Sequence, residues 1–355
     1  VAESSAEIGL VVEMIREAPR AFGAHAAELL LERHPEAGSA FGPGAFRHWQ
    51  EHLSQRALEV ASALEVGETG LFRAQVEWTR DAFEARGVDA EIIRQSLAAL
   101  ADALRTDLPD AGGEAAGAVV DAAIEEMASG DDAPAAPEPA NLEALRYLEM
   151  ALGGDRVGAR DLVVEKLAGG QSLREVYEKV LLPAQVEIGS MWHLGELSIA
   201  EEHLATETTR YVMGVAADRA RRVTATSRGK VLVAVTQGDT HDMGARAVTD
   251  LLDAAGFSVF SLGADVPVPD VASAVQMFGP DALVLAATIG LHLRRLGETI
   301  DAVRAVRPDL LIVAGGPALM LAPDLAAKLG ADVLARSPGE AVDVIEERVG
   351  GVGAA

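Results

Sequence analysis

From Lys230 onward, short apolar runs alternate with helix-patterned segments five times, an order that few folds accept. The runs fall at 230–236, 257–262, 281–287, 309–314 and 332–335. Ala282-Leu283-Val284-Leu285-Ala286-Ala287 is typical: continuously apolar rather than alternating, as expected of a parallel strand covered on both faces. Helical segments lie between the runs, among them 245–255, and a last one follows Gly339. The pattern predicts an α/β domain over 229–350, built on a flavodoxin-like, doubly wound parallel sheet.

The preceding chain reads as all-α. Between 141 and 224, helices are expected at 142–152, 155–167, 172–191 and 198–222, joined by short loops as in a four-helix bundle. Asp155 and Ser172 are good N-cap residues, and Pro183 should bend or interrupt the third helix. Three prolines among small and acidic residues in Gly130–Pro139 mark 130–140 as a linker. Residues 1–129 are expected to form a separate helical domain. Leu53, Ala57, Val60, Ala61 and Leu64 make one apolar stripe there, and Ile92, Ile93, Leu97, Leu100 and Leu104 another.

Composition narrows the classes of function. The chain has no Cys, which excludes thiolate metal sites and thioether-linked cofactors. A net charge of −25 opposes binding to phosphate backbones. The nearest basic cluster, Arg219, Arg221, Arg222, Arg228 and Lys230, reads as a solvated helix end and turn. No apolar run is long enough to span a bilayer, and the first residues do not resemble a secretion signal, so a soluble cytoplasmic protein is expected.

Three loops at the carboxyl edge of the expected sheet carry the chemistry. The first, Gly238-Asp239-Thr240-His241-Asp242-Met243-Gly244, follows the first strand. Asp239 can accept from one ring nitrogen of His241, which fixes the tautomer and leaves the other nitrogen for a metal. The second is Ala286-Ala287-Thr288-Ile289-Gly290, and the third Ala314-Gly315-Gly316-Pro317. Their small residues suggest a slot beside the sheet where a bulky group approaches the backbone. Taken alone, Asp-x-His-x-x-Gly is an ordinary strand-to-helix turn. A dinucleotide site would need Gly-x-Gly-x-x-Gly, which the first loop lacks.

Asp239-x-His241-x-x-Gly244, with Thr288 and Gly315-Gly316 on the later loops, resembles the cobalamin-binding domain. The resemblance implies that His241 ligates cobalt from below in place of the cofactor's own base, with Asp239 behind it. The cofactor's tail would then lie in the slot. Ala286 stands where many members carry a serine, which leaves Thr288 to bond the tail. The bundle stretch Met191–His203 resembles the helical cap of methionine synthase-like modules. Its Trp, neighbouring His and downstream Glu-His are similar to the B12-dependent photoreceptors of the CarH type. That likeness implies Trp192 packing where an adenosyl group sits, Glu202 bonding that group, and His203 as its neighbour. His193 would be an upper cobalt ligand once light removes the adenosyl group. Taken singly, Trp192 is more simply bundle core, and Glu202 and His203 a solvated face.

These likenesses cover 141–350. A helical domain ahead of such a module is similar in layout to the photocobilins, which combine B12 with the bilin biliverdin. Without Cys, a bilin would bind noncovalently, and Phe41–His52 with Phe72, Arg73 and Trp78 is the richest stretch for it. Locally those aromatics have core spacing, and a ligand-free sensory or dimerisation domain is the alternative. The leading expectation is therefore a light sensor binding adenosylcobalamin, not a turnover enzyme, that signals to an unidentified partner. The alternative is a corrinoid methyl carrier of a methyltransferase system, using His241 in the same way. A mutase subunit would need a substrate barrel, which the sequence does not show. With no coiled-coil heptads, a homodimer is left open.

Overall fold

The computed structural model describes residues 2–39, 42–85, 87, 89–129, 141–194, 196–221 and 227–350. The expected linker 130–140 lies outside these residues. The chain divides into two compact units, residues 1–136 and 137–355.

The first unit is helical among its described residues. Its long helices are Ala2–Glu17, Pro19–Arg33, Ala45–Val66, Gly70–Ala85, Ala90–Asp107 and Asp110–Ser129. Both stripes read from the sequence turn inward: Leu53, Ala57, Val60 and Ala61, and Ile93, Leu97, Leu100 and Leu104, are buried in one apolar core. Trp49 is fully buried at its centre, and its Nε1 donates to the Ala37 carbonyl at 3.1 Å. Asp89 caps the Ala90–Asp107 helix by accepting from the Glu91 amide.

The second unit begins with the bundle. Leu142–Leu152 and Arg156–Ala168 are capped by Asn141 and Asp155. Ser172 forms a reciprocal capping box with Glu175, and Ser198 forms another with Glu201 at the head of Ile199–Ala220. The expected third helix is divided. Leu173–Val176 passes into a π-helical segment, Tyr177–Leu181, and then into Leu182–His193. Pro183 falls in the first turn of that last helix. Because proline has no N–H and crowds the carbonyl four residues back, the wider π turn accommodates it better than a regular one.

The sheet has five parallel strands: β1 Lys230–Thr236, β2 Ser258–Val266, β3 Ala282–Ala286, β4 Leu311–Gly315 and β5 Val333–Ala335. Their order is β2-β1-β3-β4-β5, the flavodoxin-like arrangement. Chain order reverses between β1 and β3, which makes the carboxyl ends of those two strands the place where open α/β sheets hold their ligands. β2 extends four residues beyond the expected 257–262, through Gly263 at φ 79° and Asp265 at φ 51°. Its pairing with β1 shifts register at Val233/Ala234 and again at Ala234/Thr236.

Bundle and sheet share one apolar core, in which Tyr177, Val180 and Met213 join Val231, Val248 and Leu251. Polar contacts fix how they seat. The Tyr177 hydroxyl donates to Asp250 Oδ2 at 2.8 Å and lies 3.0 Å from the Met213 carbonyl. Arg174 pairs with both oxygens of Asp343, and Glu178 Oε1 accepts from Ser337 Oγ and the Gly339 amide. Burial raises the Asp250 pKa despite the Tyr177 donor. Among the described residues, no helix is long and apolar enough to cross a membrane.

Candidate functional site

The crevice at the β1/β3 reversal is organised by a buried carboxylate. Asp239 is 0% exposed, and both of its oxygens are used. Oδ1 accepts from the His241 amide at 3.0 Å and faces the ring Nδ1 at 2.8 Å. Oδ2 accepts from the Thr288 amide at 2.6 Å, tying the loop after β1 to the loop after β3. Burial opposes ionisation of Asp239, but these hydrogen bonds outweigh it and hold its pKa below the usual carboxylate value.

His241 leaves 56% of its side chain exposed while Nδ1 faces Asp239, so Nε2 is the ring nitrogen that the carboxylate does not engage. The Asp239 hydrogen bond raises its pKa above 6.5 against partial desolvation, and the charges of Asp239, Glu202 and Asp242 add to the rise. Folding stability follows from these directions. The His241 contribution is present below pH 6.5 and is lost as pH rises through its raised pKa. The Asp239 contribution is present above pH 3.8 and is lost as pH falls through its lowered pKa. Binding of a metal at Nε2 has the opposite sign to the first, since it requires the neutral ring and gains with pH. Asp239→Asn is therefore expected to bring the His241 titration in the ligand-free protein down toward 6.5. An NMR titration of the ring protons would measure this, and an unmoved midpoint would show that the carboxylate does not control the ring.

The cap meets this loop through the Ile199–Ala220 helix. Arg210 makes a two-pronged ion pair with Asp242, at 2.8 and 2.5 Å. Glu202, on the same helix, is close enough to raise the His241 pKa. Its Oε1 accepts from Thr206 Oγ1 at 2.8 Å, which also contacts Gln185 Oε1 at 3.1 Å. Gln185 Nε2 donates to Thr209 Oγ1, and so does the buried Tyr147 hydroxyl. A polar chain from the bundle core thus holds a carboxylate whose charge is felt at His241.

Trp192 is 42% exposed, whereas the adjacent His193 is only 8% exposed. His203 is largely exposed and sits 3.3 Å from Glu202 Oε2. Gly244, at the start of the Met243–Ala254 helix, faces open space: a Cβ there would meet no atom within 4 Å. Gly315 and Gly316 pack against backbone instead, facing Ala335 and Ala287 respectively. In the helical unit, Trp49 and Phe72 are core residues, Phe46 and Trp78 are partly exposed, and Phe41 lies outside the described residues.

Three contributors escaped the sequence reading: Arg210, Asp265 and His292. His292, on the Gly290–His292 turn after β3, sits against Gly238. Burial lowers its pKa, as does the nearby His241, against the pull of Asp239 and Asp265. A histidine six residues beyond the end of β3 was the available signal, but nothing in the sequence links it to the loop after β1.

A metal held here would bring most of its own ligands. Among the described residues, no group of three or more His, Cys, Asp or Glu side chains is arranged to hold a metal ion. A single carboxylate-backed imidazole facing open space fits a metal carried in a macrocycle.

Residues 229–345 match the family model described as the B12 binding domain, and residues 144–216 match a second B12 binding domain model. The chain is 29% identical over 188 residues to the dimethylamine corrinoid protein 1 of Methanosarcina acetivorans, covering 52% of this chain and 87% of that one. It is 28% identical over 189 residues to the trimethylamine corrinoid protein of Methanosarcina barkeri, covering 52% and 86%. The solved structure of the Methanosarcina barkeri monomethylamine corrinoid protein superposes with a TM-score of 0.51 at 23% identity, over 57% of this chain and 96% of that one. That likeness establishes the fold. Together with the family models, the sequence relatives support a cobalamin-binding protein whose cofactor is a corrinoid. They do not point to the CarH-type class, to the adenosyl form or to a bilin. As corrinoid proteins of methylamine systems by name, they favour the alternative expectation over the light sensor.

Proposed function

We propose that the second unit is a corrinoid-carrying module that passes a methyl group between methyltransferase partners, with His241 as the lower cobalt ligand. The Asp239–His241–Thr288 constellation, inside a stretch that matches the B12 binding domain, supports the corrin site, and the similarity to methylamine corrinoid proteins supports methyl carriage. When bound, a cobalt corrinoid supplies a metal–carbon bond that can be made and broken. The chain's own residues do the rest. Asp239 holds the proton on Nδ1 and keeps Nε2 directed outward. Thr288, through its amide, keeps Asp239 ionised and in place. Arg210 and Asp242 fasten the cap helix beside the loop, and Gly244 leaves room at the helix start. Thr288, Gly315 and Gly316 remain the proposed neighbours of the cofactor's tail.

The cap favours a second reading. Trp192 exposes an indole, and Glu202 is held as a fixed acceptor near His241, an arrangement suited to a larger, hydrogen-bonding upper group such as adenosyl. Under that reading the protein is a light sensor, His193 takes the upper position after photolysis, and His203 supports Glu202. The helical unit would then be the place for noncovalent biliverdin.

The two readings separate in one experiment. Reduced, corrin-loaded protein is offered methyl iodide and then an alkanethiol in the dark, while its absorption spectrum is followed. A methyl carrier is expected to gain and lose the methyl-corrin spectrum. Inertness in the dark, with adenosylcobalamin-loaded protein bleaching and changing elution volume under green light, would overturn methyl carriage in favour of the sensor. A far-red band after biliverdin is added would support the bilin.

A further inference from the structure

We infer that Asp265, at the end of β2, is a positioning residue that sets the His241 loop from the neighbouring strand. Among the described residues it is the one non-glycine with positive φ, at 51°. Asp tolerates the left-handed region better than most residues, yet the conformation is still costly and persists only where the surroundings demand it. Here the demand is visible. The Asp265 amide donates to the Asp239 carbonyl at 3.0 Å, and its Oδ1 accepts from the Gly238 amide at 2.7 Å. One residue therefore grips both ends of the Gly238–Asp239 dipeptide, two residues before the imidazole. Gly238 itself is at φ 88°, a turn that glycine accepts and a side chain would resist. Gln237 adds a further tie, accepting from the Val268 amide at 3.3 Å.

A bland explanation is available: aspartates often close turns on their own backbone. The partners argue against it, since Gly238 lies 27 residues away on another strand's loop, whereas turn-forming aspartates bond locally. The register shifts between β1 and β2 point the same way. Irregular pairing of this kind re-aims side chains beside functional sites, and here it brings the end of β2 alongside the loop. The Asp265 backbone conformation thus sets the Gly238–Asp239 backbone, which aims the Asp239 carboxylate, which in turn holds the His241 ring.

The inference rests on the reading of His241 as the lower ligand, and the test separates the two. Hydroxocobalamin is titrated into the full chain and into D265A, D265G, D265N and H241A, with the bound corrin's absorption spectrum and the unfolding midpoint recorded for each. D265A and D265G are expected to bind about 10- to 100-fold more weakly, with the spectrum moved toward that of H241A, and D265N to recover to within about threefold, because Asn keeps the acceptor and tolerates positive φ. D265G also relieves the backbone cost, so it provides a folded variant should D265A be unstable. If H241A alters the spectrum while D265G binds and absorbs like the native protein, the inference about Asp265 is overturned. If H241A leaves the spectrum unchanged, the lower-ligand reading itself is lost.

Discussion

Replacing His241 with alanine is expected to weaken corrin retention by more than about 100-fold, since loss of a mere hydrogen-bond partner behind a metal-bound histidine already costs about 10- to 100-fold. The fold should respond only modestly. The imidazole is more than half exposed and lies on a loop outside the apolar core, but its loss leaves the buried Asp239 Oδ1 with the residue-241 amide alone, so a cost of about 1 kcal/mol is expected. Affinity and stability should therefore separate cleanly, which is what a ligand does and a structural residue does not. Equilibrium dialysis of hydroxocobalamin, alongside a urea titration of the ligand-free protein, measures both. Added imidazole is expected to restore the native spectrum of the alanine variant by entering the vacated position. Native-like retention by H241A would remove the basis of both functional readings, because carrier and sensor alike depend on this ligand.

What the sequence disclosed, and what it hid, follows from the range of the forces involved. The strands around Val231–Val235 and Ala282–Leu285 were legible because burial on both faces leaves no polar alternation. The caps at Asp155 and Ser172 were legible because an N-cap acts over three residues. Asp239 and His241 were legible for the same reason, being two residues apart. Asp265, Arg210 and His292 were hidden because their partners lie on other elements. The length of β2 was missed because Gly263 resembles a strand end, whereas here it is a bent edge strand that continues through a bulge. On the cap, spacing placed Trp192 and His193 together but could not say that one is exposed and the other buried. The lower side of the site is built from one loop and reads plainly. The upper side depends on how a bundle seats on a sheet, and there the sequence led to the sensor, whereas the relatives favour the carrier.

Gly316→Ala is expected to destabilise the second unit by about 3 kcal/mol, from a forbidden backbone conformation and a steric clash that add. Gly316 sits at φ 108° and ψ 158°, a region open essentially only to glycine. A Cβ there would also run into the Ala287 carbonyl oxygen, with the carbonyl carbon only 2.9 Å away. Neither atom can yield, because Ala287 is anchored by its own amide to the Gly315 carbonyl at 3.0 Å. The consequence reaches the site, since the next residue, Thr288, donates to Asp239. Moving Ala287 aside would pull that donor from the carboxylate and loosen the hold on His241. Gly315→Ala provides the comparison: its Cβ would meet the Ala335 carbonyl at 3.0 Å, but no positive φ is involved, so a cost of about 1 kcal/mol is expected. In urea, the Gly316 variant should lose about 1 M in midpoint, and it should release corrin more readily than the Gly315 variant even where both are fully folded. Equal effects from the two substitutions would mean that crowding alone operates at this turn, and that the link from the loop after β4 through Ala287 to Asp239 carries no force.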